Sequence, residues 1–126
     1  MKIYTSYFAV ENKIPTGITR ISIARWKPKG VVALEYKLLA PSESLLKKFK
    51  AGKIDVNGFA KEYYRDVLNK LSVEEVMRYF NLVSNGNDIV LLCFEKSDAF
   101  CHRLLVAEWL MQHGIEVEEY SIEKNK

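Results

Sequence analysis

The chain has 126 residues, of which 48% are hydrophobic and 28% charged, and its formal net charge at pH 7 is +3. A chain of this size and composition can bury a core without disulfides or metals, and it shows no signature of disorder. The mild positive charge does not by itself indicate nucleic-acid binding, although it permits an anionic ligand.

The N-terminal third predicts two strands separated by a turn. Residues 2–9 alternate in a pattern typical of a strand packed on both faces, and Pro15 lies in the break that follows. Residues 19–24 repeat isoleucine at period two and predict a second strand, which ends in a basic and aromatic turn. Residues 31–39 predict either a short edge strand or an ordered loop.

Helical periodicity dominates the middle of the chain. Ser42, Asp55 and Ser72 each precede an apolar pattern of helical spacing and are predicted to cap a helix. The three helices are expected over residues 43–50, 56–71 and 73–84.

The C-terminal part predicts a strand, a helix and a strand. The fully apolar residues 89–94 indicate a strand buried on both faces, and Ser97 or Asp98 is expected to cap a helix over residues 99–113. Residues 115–120 predict a last strand, which should run parallel to the strand at residues 89–94 because a helix connects the two. We therefore predict an α/β fold, with one three-layer, Rossmann-like domain over residues 1–126 and a mostly parallel sheet flanked by helices.

The strand-to-helix turn after this buried strand holds most of the reactive side chains. Open α/β sheets bind ligands at the carboxyl ends of their strands, so we predict a site there. Its members are expected to be Tyr7, Arg25, Cys93, Glu95, Cys101, His102 and Arg103.

The same residues carry a resemblance to a family. The start Ile3-Tyr4-Thr5-Ser6-Tyr7-Phe8, the pair Tyr63-Tyr64, and the Cys93-Phe94-Glu95 and Cys101-His102-Arg103 motifs closely resemble domain of unknown function 488. The resemblance spans essentially the whole chain. It implies a compact α/β fold with Rossmann-like layering and leaves the reaction open.

Catalysis would fall to Cys101 as nucleophile, since a helix start and the nearby Arg103 favour a thiolate. His102 is expected to be a poor base for it, because adjacent helical residues point about 100° apart, so Glu95 is the expected local base. The competing interpretation is that Cys93 and Cys101 are small buried hydrophobes.

Anion binding is assigned to Arg103, Arg25 and His102 near free backbone amides, although Arg103 could instead pair with Glu95 as a structural lock. A zinc site is not expected, because Cys93 and Cys101 lack the paired spacing of zinc knuckles. No phosphate-binding glycine loop is present, and no cofactor is predicted.

We predict an enzyme acting on a phosphate-bearing substrate, either a nucleotide or nucleic acid. The alternative is a non-catalytic module that binds an anionic ligand or nucleic acid. No leader pattern occurs and no apolar run approaches the ~18 residues of a membrane span, so we expect a cytoplasmic protein without a membrane partner. Both cysteines are then expected to be reduced thiols.

Overall fold

The computed structural model of the protein describes residues 1–95 and 100–121. Its sheet has five strands, all paired in parallel: β1 (Ile3–Tyr7), β2 (Thr19–Ser22), β3 (Leu34–Glu35), β4 (Ile89–Cys93) and β5 (Val117–Glu119). Their spatial order is β3-β2-β4-β1-β5, so β4 lies in the middle, between β2 and β1. All carboxyl ends therefore open on one edge of the sheet.

The central strand β4 explains why its sequence is apolar at every position. All five of its residues are buried. Ile89, Leu91 and Cys93 belong to one core cluster, whereas Val90 and Leu92 belong to another. Because side chains alternate along a strand, these are the cores on its two faces.

The larger core lies under four α-helices of the described residues: α1 (Glu43–Lys50), α2 (Val56–Asp66), α3 (Val73–Ser84) and α4 (His102–Gln112). The caps Ser42, Asp55 and Ser72 each accept a hydrogen bond from a backbone amide three residues later. These local signals therefore start α1, α2 and α3 where the sequence predicts. A 3-10 helix at Leu68–Lys70 replaces the expected last turn of the second helix.

The opposite face of the sheet has a thinner cover. A 3-10 helix at Phe8–Lys13 and the segments on either side of β2 supply its core residues, among them Phe8, Ile14 and Ala24. The parallel sheet flanked by helices is thus confirmed. Residues 31–39 hold both a two-residue edge strand and a 3-10 helix at Lys37–Leu39.

The last helix starts later than the sequence predicts. Cys101 has extended backbone and is the N-cap residue, so α4 begins at His102 rather than at residue 99. The expected cap at Ser97 or Asp98 lies outside the described residues. Within the described part of the chain, no helix combines the length and apolar character that crossing a membrane requires.

Candidate active site

The two cysteines meet at the carboxyl edge of the sheet. Cys93 is the last residue of β4, Cys101 immediately precedes α4, and their sulfur atoms are joined in a disulfide. The prediction of reduced thiols is wrong for this structure. That prediction rested on the expected compartment, whereas the end of β4 and the residue before α4 place the two sulfurs side by side.

His102 lies beside this pair and is held by the neighbouring strand end. Its Nε2 atom is 2.6 Å from the carbonyl oxygen of Ile23, and its side chain is buried. A carbonyl oxygen only accepts, so Nε2 carries the proton and the neutral ring keeps a lone pair on Nδ1. Burial lowers the pKa of His102 from 6.5 to about 4, against the opposing effect of the Ile23 carbonyl.

The free nitrogen of His102 faces Cys101. Nδ1 lies 3.8 Å from the Cys101 Sγ, within reach of a sulfur hydrogen bond. The expectation that His102 is badly placed is therefore wrong. The 100° argument holds for two residues inside a helix, whereas Cys101 has φ −146° and ψ 151°, outside the helical conformation, which turns its side chain toward the ring.

Cys101 and His102 line a cavity of about 400 Å³, a size typical of small-molecule sites. Its walls are mainly aromatic and aliphatic, and its polar members include the predicted site residues Arg25 and Glu95. The apolar lining comes from Ala24, Trp26, Pro41, Leu46, Phe49, Phe59, Phe94 and Phe100, and Lys50 adds a second cation.

Arg103 occupies a different position from the one expected. It is 0% exposed, and its Nε and Nη2 donate to the two carboxylate oxygens of Glu119, each at 3.1 Å. Nη1 donates to the Glu95 backbone oxygen at 2.5 Å and to the Cys93 Sγ at 3.1 Å. The expected contact with Glu95 therefore exists, but through the carbonyl group rather than the carboxylate.

This network separates Arg103 from the ligand side of the site. Among the described residues that line the cavity with Arg25, neither Arg103 nor Tyr7 appears. The Tyr7 ring instead lies 5.9 Å from the Arg103 guanidinium carbon, a cation–π contact. Arg25 donates through Nε to the Pro41 carbonyl at 3.2 Å, which positions it on the cavity wall.

Glu119 is the site residue that the sequence reasoning missed. It ends β5 and also accepts a hydrogen bond of 2.7 Å from the Thr5 hydroxyl on β1. The sequence did contain a signal for Glu119, because this acidic residue lies near the carboxyl end of the last predicted strand. Ligands and catalytic groups gather at that edge of a parallel sheet.

The donor atoms of Cys93, Cys101 and His102 lie within 4.8 Å of one another and form the candidate metal-binding group of the described residues. Two thiolates and an imidazole are zinc ligands, although a disulfide offers no thiolate. The prediction that the protein holds no metal stays a prediction.

The chain can now be compared with known proteins. No curated protein and no solved structure gives a significant match. A family model described as the active DUF488-N3 subclade matches residues 3–114, which include every residue of the cavity described above. The protein belongs to the domain of unknown function 488 family.

Proposed function

We propose that the protein is an enzyme in which the thiolate of reduced Cys101 is the nucleophile and His102 accepts its proton. The proposed substrate carries a planar or apolar group together with an anionic group, as a nucleotide does. The observation that supports this most is the orientation of His102, whose free Nδ1 faces Cys101 at the wall of a ligand-sized cavity.

The fixed tautomer matters because a base must present a lone pair to the thiol. The Ile23 carbonyl holds the proton on Nε2, so the only nitrogen able to accept is the one that faces Cys101. Burial favours the neutral ring, and a thiolate formed beside it would in turn stabilise the imidazolium by Coulombic attraction. The disulfide supplies no such charge.

The cavity lining supports the substrate class. Trp26, Phe94 and Phe100 offer ring faces and edges to a planar group, and Arg25 offers a guanidinium to a phosphate or carboxylate. Arg103 plays no direct part in this proposal, because its donors are engaged by Glu119, Cys93 and Glu95.

The reaction would proceed by covalent catalysis. The Cys101 thiolate forms a bond to an electrophilic atom of the substrate, and the leaving group departs with the bonding electrons and takes the proton held by His102. The Glu95 carboxylate, exposed at the cavity rim, is the candidate that activates water to release the bound fragment.

Thiol alkylation tests the nucleophile. Protein reduced with a phosphine is treated with iodoacetamide across a pH series, and the modification of Cys101 is followed by peptide mass spectrometry. We expect the apparent pKa of the Cys101 thiol to lie below the ordinary value of about 8.5, and we expect it to rise toward that value in His102→Gln. His113→Gln, on the exposed end of α4, is the matched control and should leave the profile unchanged.

Ligand binding tests the substrate class. Adenosine monophosphate, adenosine and inorganic phosphate serve as probes, with calorimetry as the readout. Tryptophan fluorescence, to which Trp26 in the cavity contributes, serves as a check. Arg25→Gln should weaken the binding of adenosine monophosphate about tenfold or more and leave the binding of adenosine unchanged. Arg78→Gln, at an exposed position, should change neither affinity.

The two tests together separate catalysis from binding. If Cys101 reacts only after unfolding, the nucleophile proposal fails. Binding of the monophosphate through Arg25 would then favour the alternative, a non-catalytic module for an anionic ligand. If none of the probes binds, the proposed substrate class is wrong.

A further inference from the structure

The two sulfurs of the disulfide differ in their access to the cavity. Cys101 lines the cavity and keeps 6% of its surface exposed, whereas Cys93 is 0% exposed and lies at the buried end of β4. A thiolate that enters the cavity therefore reaches Cys101 and not Cys93.

The two sulfurs also differ in their electrostatic surroundings. The Arg103 guanidinium donates to the Cys93 Sγ at 3.1 Å, and Arg103 is held in place by both carboxylate oxygens of Glu119. A neighbouring guanidinium favours the thiolate form, and a sulfur that is stable as a thiolate is the better leaving group in exchange reactions. Access and electrostatics thus point in the same direction: attack at Cys101 and departure of Cys93.

We propose that Cys93 and Cys101 form a thiol–disulfide exchange centre, entered through the cavity at Cys101, whose reaction partners are small thiols and dithiols. This activity is separate from the proposed group-transfer chemistry and does not depend on it, because here Cys101 exchanges only with sulfur.

The exchange balances in two steps. The thiolate of a reductant bonds to the Cys101 Sγ, the bond to Cys93 breaks, and its electron pair remains on the Cys93 sulfur beside Arg103. A second thiol of the reductant then attacks the reductant's own sulfur in the mixed disulfide and releases Cys101, which takes up the proton of that thiol by way of the His102 Nδ1. The reductant leaves as a disulfide, having given two electrons to the protein. In the reverse sequence the reduced protein transfers two electrons to an external disulfide and regains the bond between Cys93 and Cys101.

Single-cysteine variants of the full chain test the direction of attack. Cys93→Ser and Cys101→Ser are each mixed with oxidised glutathione, and the mixed disulfide is followed by intact-mass spectrometry. We expect Cys101, in Cys93→Ser, to form the adduct at least about tenfold faster than Cys93 in Cys101→Ser, because only Cys101 meets the cavity. Circular dichroism confirms that both variants are folded.

The wild-type protein supplies the second readout, which requires no variant. Reduced wild-type protein mixed with oxidised glutathione should end as the internal disulfide without an accumulating adduct, since Cys93 displaces glutathione from Cys101. Equal adduct rates at the two cysteines, or a disulfide that small thiols reduce only after unfolding, would overturn the proposal. A Cys101 that reacts only after unfolding would contradict the proposed nucleophile as well. Equal adduct rates at the two cysteines would contradict the exchange centre alone, and a pKa of Cys101 that does not respond to His102→Gln would contradict the proposed function alone.

Discussion

Arg103 of α4 and Glu119 of β5 face each other in a two-pronged ion pair, with both N···O distances at 3.1 Å. The guanidinium is fully buried, whereas the carboxylate side chain is 31% exposed. The pair therefore compensates a buried positive charge at the carboxyl edge of the sheet, in contact with the Cys93 sulfur.

We predict that Glu119→Gln destabilises the fold by about 2–3 kcal/mol. Removing one partner of a buried pair leaves an uncompensated charge, which costs about 3–5 kcal/mol, and the partial exposure of Glu119 reduces this figure. The free energy of unfolding in urea measures the loss.

Glu118→Gln is the matched control, because it changes the same charge at the next, exposed position of β5. It should alter stability by less than about 0.5 kcal/mol. Equal effects of the two variants would show that the buried guanidinium is compensated by groups other than Glu119.

The pKa of His102 predicts a specific loss of stability in acid. The unfolded chain protonates His102 near its ordinary pKa of 6.5, whereas the folded chain does so only near about 4. Between these values the unfolded state binds more protons, so stability that is fully present above pH 6.5 is lost as the pH falls toward 4. At about pH 4.5 the free energy of unfolding is expected to be lower than at neutral pH by roughly 2–3 kcal/mol from this cause.

Urea unfolding of the oxidised protein at about pH 7 and about pH 4.5 measures this effect. In His102→Gln the free energy of unfolding should fall less between the two pH values, because the contribution of His102 is missing. In His113→Gln it should fall as much as in the wild type. If the free energy of unfolding depends on pH in the same way in His102→Gln and in the wild type, His102 titrates alike in the folded and unfolded chains.

We also predict that the reduced protein does not retain zinc, despite the proximity of Cys93, Cys101 and His102. A cation bound at the Cys93 sulfur would lie close to the Arg103 guanidinium, whose Nη1 is 3.1 Å from that sulfur. Like charges in a buried site repel strongly, since the effective dielectric constant there is low.

Metal analysis after reduction with zinc present and dialysis against metal-free buffer tests this prediction. The oxidised protein, which lacks thiolates, gives the background. Stoichiometric zinc in the reduced wild type, lost in both Cys93→Ser and Cys101→Ser, would identify a metal site and contradict this prediction.

Several features of the fold could be predicted from the sequence because their causes are local. Ser42, Asp55 and Ser72 start helices through hydrogen bonds that reach only three residues along the chain. The uniform apolar character of residues 89–94 indicated a strand buried on both faces, and the observed strand Ile89–Cys93 lies in the middle of the sheet. Parallel strands share one carboxyl edge, which is why Cys93, Cys101 and His102 could be expected to lie close together there.

The chemistry within that site depends on contacts between residues far apart in the chain. Arg103 and Glu119 are 16 positions apart, and His102 and Ile23 are 79 apart. No local pattern determines such pairs, because they form only when strands β1, β2, β4 and β5 pack side by side under α4. The sequence by itself indicated that Cys93, Cys101 and His102 gather at the carboxyl edge of the sheet, but not that Glu119 joins them. The tertiary structure decided that Glu119 pairs with Arg103, that His102 turns its free nitrogen to Cys101, and that the two sulfurs meet, since each depends on how the packed elements orient side chains.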